Sequence, residues 1–144
     1  MHVAAILKDK GRAVETVGVD ATVMDVAARL SAMRIGAVVV TEKDGGVAGI
    51  ISERDIIRVV GKHGAGALDW PVGEVMTSTV MTCREADTID QLMSVMTERR
   101  FRHLPVMEKG KLAGIVSIGD VVKHHIAEVE LEASALRGYI SAVG

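Results

Sequence analysis

The sequence predicts a mixed α/β (α+β) fold made of two copies of one strand-helix-strand-strand-helix unit, followed by a C-terminal helix. Three observations carry this. First, the stretch TVMDVAARLSAMRIGAVVVTEKDGGVAGIISERDII from Thr22 returns as TIDQLMSVMTERRFRHLPVMEKGKLAGIVSIGDVV from Thr88, at a shift of 66 residues. After a one-residue deletion in a turn the shift becomes 65, which matches Gly49 with Gly114, Ser52 with Ser117 and Asp55 with Asp120. Second, the hydrophobic period changes in the same order within each copy. Third, 49% of the residues are hydrophobic and 25% charged, enough to bury a core, while the longest apolar runs fall far short of a membrane span.

The elements follow in chain order. Val3 to Lys8 and Val72 to Thr77 read as lead-in helices, one before each copy. Val14 to Val17 reads as a short strand, and AVETVGVDAT aligns with TVMTCREADT, so Thr16 and Thr82 close the first strand of their copies. From Val23, apolar residues at Val26, Ala27, Leu30 and Met33 recur at helical spacing, with Thr22 and Thr88 as N-caps. Ala37 to Val40 is apolar throughout, as a buried strand requires. The polar run at 42 to 46 supplies a hairpin turn, and Val47 to Ile51 returns. A second helix from Glu53 is expected to bury Ile56, Ile57, Val59 and Val60. Gly-rich KHGAGALDWP at 62 to 71 reads as the linker, with Trp70 expected over the seam between copies. The divisions are therefore 1 to 65, 66 to 125 and 126 to 144, the last an amphipathic helix in which Ile126, Val129, Leu136 and Ile140 keep helical spacing and seek a partner surface.

Composition removes several classes of function. A net charge of -2 with one Trp, one Tyr and one Phe leaves neither a basic footprint nor base-stacking aromatics, so nucleic acid is not an expected partner. No secretory signal is visible, because Lys8, Asp9 and Lys10 interrupt the opening apolar residues. Cys83, the single cysteine, fits a reducing cytoplasm and reads as a small buried apolar residue. No nucleophile with a placed base, metal cluster or paired carboxylates is apparent, so no catalytic residue and no metal ligand is assigned. His124 and His125 read as solvated or interfacial.

Ser52 with Asp55, and Ser117 with Asp120, stand just before apolar helices and have the spacing of a capping box. With VGEVMTSTVMT, GAVVVTEKDGGVAGIISERD and FRHLPVMEKGKLAGIVSIGD in this order, residues 1 to 125 resemble the tandem cystathionine-β-synthase-type (CBS) domain pair, or Bateman module. The resemblance implies two three-stranded sheets packed face to face about a pseudo-twofold axis, with two equivalent clefts for adenosine-containing ligands. It implies that Ser52 and Ser117 reach ligand phosphate or ribose, that Asp55 and Asp120 take the ribose hydroxyls, and that the surroundings of Thr16 and Thr82 touch the base through backbone groups.

The residue types suit that ligand. An ionised carboxylate can accept both vicinal ribose hydroxyls in charge-assisted bonds, and a helix N-terminus favours phosphate. The copies differ where selectivity should lie: Gly36 and Ala37 stand where the second copy has Arg102 and His103, and Arg54 stands where it has Gly119. Arg102, His103 and Arg54 are expected to neutralise phosphate, with Gly36 and Gly119 leaving room. Arg102 and His103 lead into the strand containing Leu104 and Pro105, which is expected to edge the site. Lys8, Lys10 and Arg12 form a basic cluster expected in a solvated turn, with reach to a phosphate tail as the alternative.

The expected function is a regulatory module that binds AMP, ADP, ATP or NAD(H), forms a homodimer and signals to a protein in trans, without a catalytic cofactor or a membrane. The competing readings are a structural dimerisation scaffold with vestigial clefts, and a nucleotide-processing enzyme.

Overall fold

The computed structural model describes residues 1 to 143; Gly144, the last position of the expected terminal helix, lies outside the described residues. Two units form, one from Ala13–Met81 and the other from Met1–Arg12 together with Thr82 onward. The segment written ahead of each copy thus folds with the other copy's elements.

In the 13–81 unit, β1 (Thr16–Gly18) lies parallel to β2 (Ala37–Thr41), which pairs antiparallel with β3 (Val47–Ser52). The helices are α2 (Val23–Met33) and α3 (Glu53–His63). Thr22 caps α2 as expected, in a full capping box with Asp25. The core gathers Val17, Val23, Val26, Leu30, Val38, Val40, Ile51 and Val72.

Three details depart from the sequence reading. The 62–71 stretch is structured: α3 runs to His63, a 3-10 helix covers Ala65–Asp69, and the Trp70 ring lies 4.9 Å from that of His63. The lead-in helix expected at 72 to 77 is only a 3-10 turn, Val72–Glu74, after which Thr77 exchanges backbone hydrogen bonds with Ile50. Ile57 is 71% exposed, because α3 turns Asp55 inward and a residue two further on points away from that side. Ile56, Val59 and Val60 are half-buried.

The other unit contains α1 (Val3–Lys10), α4 (Ile89–Arg99), β4 (His103–Glu108), β5 (Lys111–Ser117) and α5 (Ile118–Val143). Thr88 forms the second capping box, with Gln91. Ile6 and Leu7 of α1 are buried, as are Ile89, Leu104, Val116 and Val121. β4 and β5 pair antiparallel with a register shift between Val106 and Met107, matching the shift between Val40 and Thr41 in the first copy.

The expected first strand of the second copy shrinks to a single parallel bridge, Cys83 with Val106. The next two amides explain this: Arg84 N donates to Asp87 Oδ2 at 2.8 Å and Glu85 N to Glu108 Oε1 at 2.8 Å, so neither can extend the ladder. Thr82, on the other side of Cys83, lies in an irregular, exposed stretch rather than ending a strand. Burial first, and then the charge of Asp87, push the Cys83 thiol up to about 12, in keeping with its expected role as a buried apolar residue.

The expected tail helix is no separate element, since α5 is continuous from Ile118. His124 Nε2 lies 3.4 Å from Asp9 Oδ2 of α1, and His125 Nδ1, buried without a hydrogen-bond partner, stands 3.6 Å from Asp90 Oδ1 of α4. Among the described residues no helix is long and apolar enough to cross a membrane.

Candidate functional site

Both copies build the same turn. In the first, the β2–β3 register sets Ala37 opposite Ser52, and Glu53 N at the start of α3 donates to Gly36 O at 3.0 Å. In the second, His103 stands opposite Ser117, Leu104 opposite Val116 and Pro105 opposite Ile115, while Ile118 N donates to Arg102 O at 2.8 Å. Gly36, Ala37, Ser52, Arg54 and Asp55 therefore gather at one strand-to-helix turn, and Arg102, His103, Ser117, Gly119 and Asp120 at the other. Arg54 and Arg102 are exposed. A Cβ added at Gly119 would meet only Ser117 Oγ within 4 Å, at 3.6 Å, so the helix start is open there.

Asp55 is the buried charged residue of its unit, 8% exposed. Its Oδ2 accepts from Ser52 N at 2.9 Å and Ser52 Oγ at 3.0 Å, and Asp55 N donates back to Ser52 Oγ. Its Oδ1 receives longer contacts, both 3.4 Å, from Thr77 Oγ1 and Arg58 Nη1. The capping reading of Ser-x-x-Asp is thus realised, but capping alone does not explain a buried carboxylate with four donors around it.

Asp120 has different company. Its Oδ2 accepts from Ser117 N at 2.9 Å and from Lys10 Nζ at 2.6 Å, and Lys10 Nζ also donates to Ile115 O at 3.1 Å. Burial resists ionisation of this carboxyl, yet the Lys10 bond, the Ser117 amide, the Lys10 charge and the Ser117 hydroxyl together outweigh it and hold the group below its ordinary range. A carboxyl depressed in the folded state stabilises above its unfolded value, and the gain is lost as pH falls through the folded value. Asp120→Asn is therefore expected to be less stable than the parent in urea unfolding at neutral pH. The gap should close on acidification below the ordinary carboxylate range; a pH-independent gap would contradict this.

Lys10 is the main correction at the site. It occupies the last position of α1 and reaches back to Asp120 instead of lying in a solvated turn, while Arg12 pairs with Glu85. Thr16 opens β1 rather than closing it, opposite Val39, and its carbonyl accepts from Arg29 Nη1 at 2.8 Å, which engages one backbone group expected near a base. Thr82 is displaced from the strand the alignment gave it. Thr77, Arg58 and Arg29 belong to neither Ser-x-x-Asp motif, and their contacts follow from the fold of the unit.

The CBS domain model matches residues 8–62 and again 72–126, and the chain belongs to the CBS domain family as a tandem pair. It is similar to the mitochondrial CBS domain-containing protein CBSX3 of Arabidopsis thaliana, 32% identical over 96% of this chain and 71% of that protein. Its share of other curated relatives falls as low as 23%. The crystal structure of a CBS-domain protein from Agrobacterium tumefaciens is 50% identical, covers 87% of this chain and 99% of its own, and superposes with a TM-score of 0.85. A CBS domain protein from Pyrobaculum aerophilum complexed with AMP is 29% identical over 83% of this chain and 89% of its own, with a TM-score of 0.74.

Proposed function

We propose that the chain is a regulatory module that binds an adenosine nucleotide, AMP, ADP, ATP or NAD(H), at its strand-to-helix turns and reports occupancy to a protein in trans. The carrying observation is the doubled Ser-x-x-Asp turn, built twice with a partly or wholly buried carboxylate at a helix N-terminus. The AMP complex of the Pyrobaculum relative supports an adenosine ligand. In this reading Asp55 and Asp120 take ribose hydroxyls, Ser52 and Ser117 take ribose or phosphate, and Arg54, Arg102 and His103 offset phosphate charge. Ala37, Leu104 and Pro105 line the turn, Gly36 and Gly119 leave space, and the backbone near Thr16 and Thr82 meets the base. Lys10 adds a cation beside Asp120 that the first copy matches only with Arg58, 73% exposed.

Occupancy acts only through differential affinity for two arrangements of the protein. A homodimer is proposed as the assembly that responds, and Cys83, the single cysteine and a buried one, suits a reducing compartment such as the cytoplasm. No turnover is proposed: the groups gathered at each turn bind and neutralise, and none is paired as nucleophile and base.

A thermal-shift panel of AMP, ADP, ATP and NAD(H) tests the reading. A ligand at about a hundredfold excess over its dissociation constant is expected to stabilise the protein by about 2.7 kcal/mol. A flat response to every member would remove the nucleotide assignment.

A further inference from the structure

From Val122 the apolar residues of α5 advance in steps of four, three, four, three and four: Ile126, Val129, Ala133, Leu136, Ile140. This is a heptad repeat with Ile126, Ala133 and Ile140 at a and Val129 and Leu136 at d. The five steps span 18 residues, 3.6 to the step, so the stripe stays on one face of the helix, and its a/d placement suits a second helix laid along it. The seam is uncovered: Ile126, Val129, Leu136 and Ile140 are 51%, 49%, 60% and 60% exposed. From Val129 to Ala142 every residue except Ala133 is exposed, so the last four turns leave the unit's surface. A free helix of that length is marginal in water, and Gly138 weakens it further.

We infer that this half of α5 is a parallel two-stranded coiled-coil seam whose partner is α5 of a second copy of the chain. Charge at the flanks selects that partner. In a parallel, in-register pair each g residue faces the e residue five positions further along the other helix. Glu132 at g therefore meets Arg137 at e of the second copy, and by symmetry the pair forms twice. Identical seams meeting on a twofold axis close on themselves and do not propagate. Isoleucine at two of the three a positions agrees with two strands.

The inference rests on the homodimer proposed above and specifies its surface and orientation. Sedimentation equilibrium of the full chain tests it, with far-UV circular dichroism confirming that each variant stays folded, as substitutions at exposed positions should. Arg137→Glu turns two attractions into two repulsions and is expected to raise the dimer dissociation constant by about tenfold. Combining it with Glu132→Arg should restore the parent value. Leu136→Asp should raise the constant at least about a hundredfold, since it places a charge in the seam. Leu136→Cys should oxidise to a disulfide-linked dimer, because in-register parallel helices bring the same d position together; Cys83 is buried and should not compete.

A monomer at all concentrations overturns the inference, as does a dimer indifferent to both Arg137→Glu and Leu136→Asp. A dimer whose Leu136→Cys form does not cross-link overturns the parallel seam. Thermal shift with AMP on the same variants keeps the two readings apart. A retained shift in a monomeric variant leaves nucleotide binding standing, and a flat shift in an intact dimer removes nucleotide binding alone.

Discussion

Asp120→Ala is expected to raise the dissociation constant for an adenosine nucleotide at the second copy's turn by at least about a hundredfold, because two hydrogen bonds to a charged acceptor are each worth about 1.5–3 kcal/mol. Asp120 is the more available carboxylate. Its recorded bonds fall on Oδ2, with Lys10 and the Ser117 amide, whereas both oxygens of Asp55 are engaged. Asp55→Ala is expected to show itself in stability as well as affinity. Loss of a cap alone costs about 1 kcal/mol, but removing Asp55 also strips the Ser52 amide and Thr77 hydroxyl of an acceptor in a half-buried setting, bringing the total to about 2–3 kcal/mol. Titration calorimetry with AMP and urea unfolding measure the two effects. Unchanged affinity in both variants would remove the ribose role from these residues.

Gly49→Ala is expected to lower stability by about 3 kcal/mol, while the repeat-equivalent Gly114→Ala costs about 1 kcal/mol. An added Cβ at Gly49 would stand 2.6 Å from the carbonyl oxygen of Thr77 and 2.7 Å from Met76 Sδ. That carbonyl accepts from Ile50 N at 3.0 Å, and Thr77 N donates to Ile50 O at 2.9 Å, so the backbone cannot retreat without giving up both bonds. At Gly114 the obstacle, also at 2.7 Å, is Cδ2 of Leu7, the tip of a side chain that can change rotamer. Because Thr77 also touches Asp55, Gly49→Ala should weaken nucleotide binding together with the fold. A melting temperature lower by roughly 6–12 °C distinguishes Gly49→Ala from its counterpart; equal losses at the two positions would contradict the backbone argument.

The features readable from sequence were those written twice and locally. Thr22, Thr88, Ser52 and Ser117 each cap the helix that follows, because a capping box needs only residues three apart. The hairpins came from apolar runs on either side of a polar turn. Features that depend on distant partners stayed hidden: Lys10 meets Asp120 across 110 positions and Thr77 meets Asp55 across 22. Repetition also misled in one place, where Thr82 inherited a strand from Thr16 although only its neighbour Cys83 forms a bridge, to Val106. Periodicity gave α3 its apolar face but not its rotation, which the buried Asp55 sets, leaving Ile57 outside.

The regrouping of the segments ahead of each copy bears on synthesis. Residues 13 to 81 are contiguous and can close as soon as they leave the ribosome. Residues 1 to 12 emerge earlier, yet Ile6 and Leu7 find cover only among residues made later, with Val3 N bonded to Asp87 O. The nascent chain therefore carries a short apolar strap, uncovered throughout production of the 13–81 unit, and the helix made ahead of that unit is buried after it.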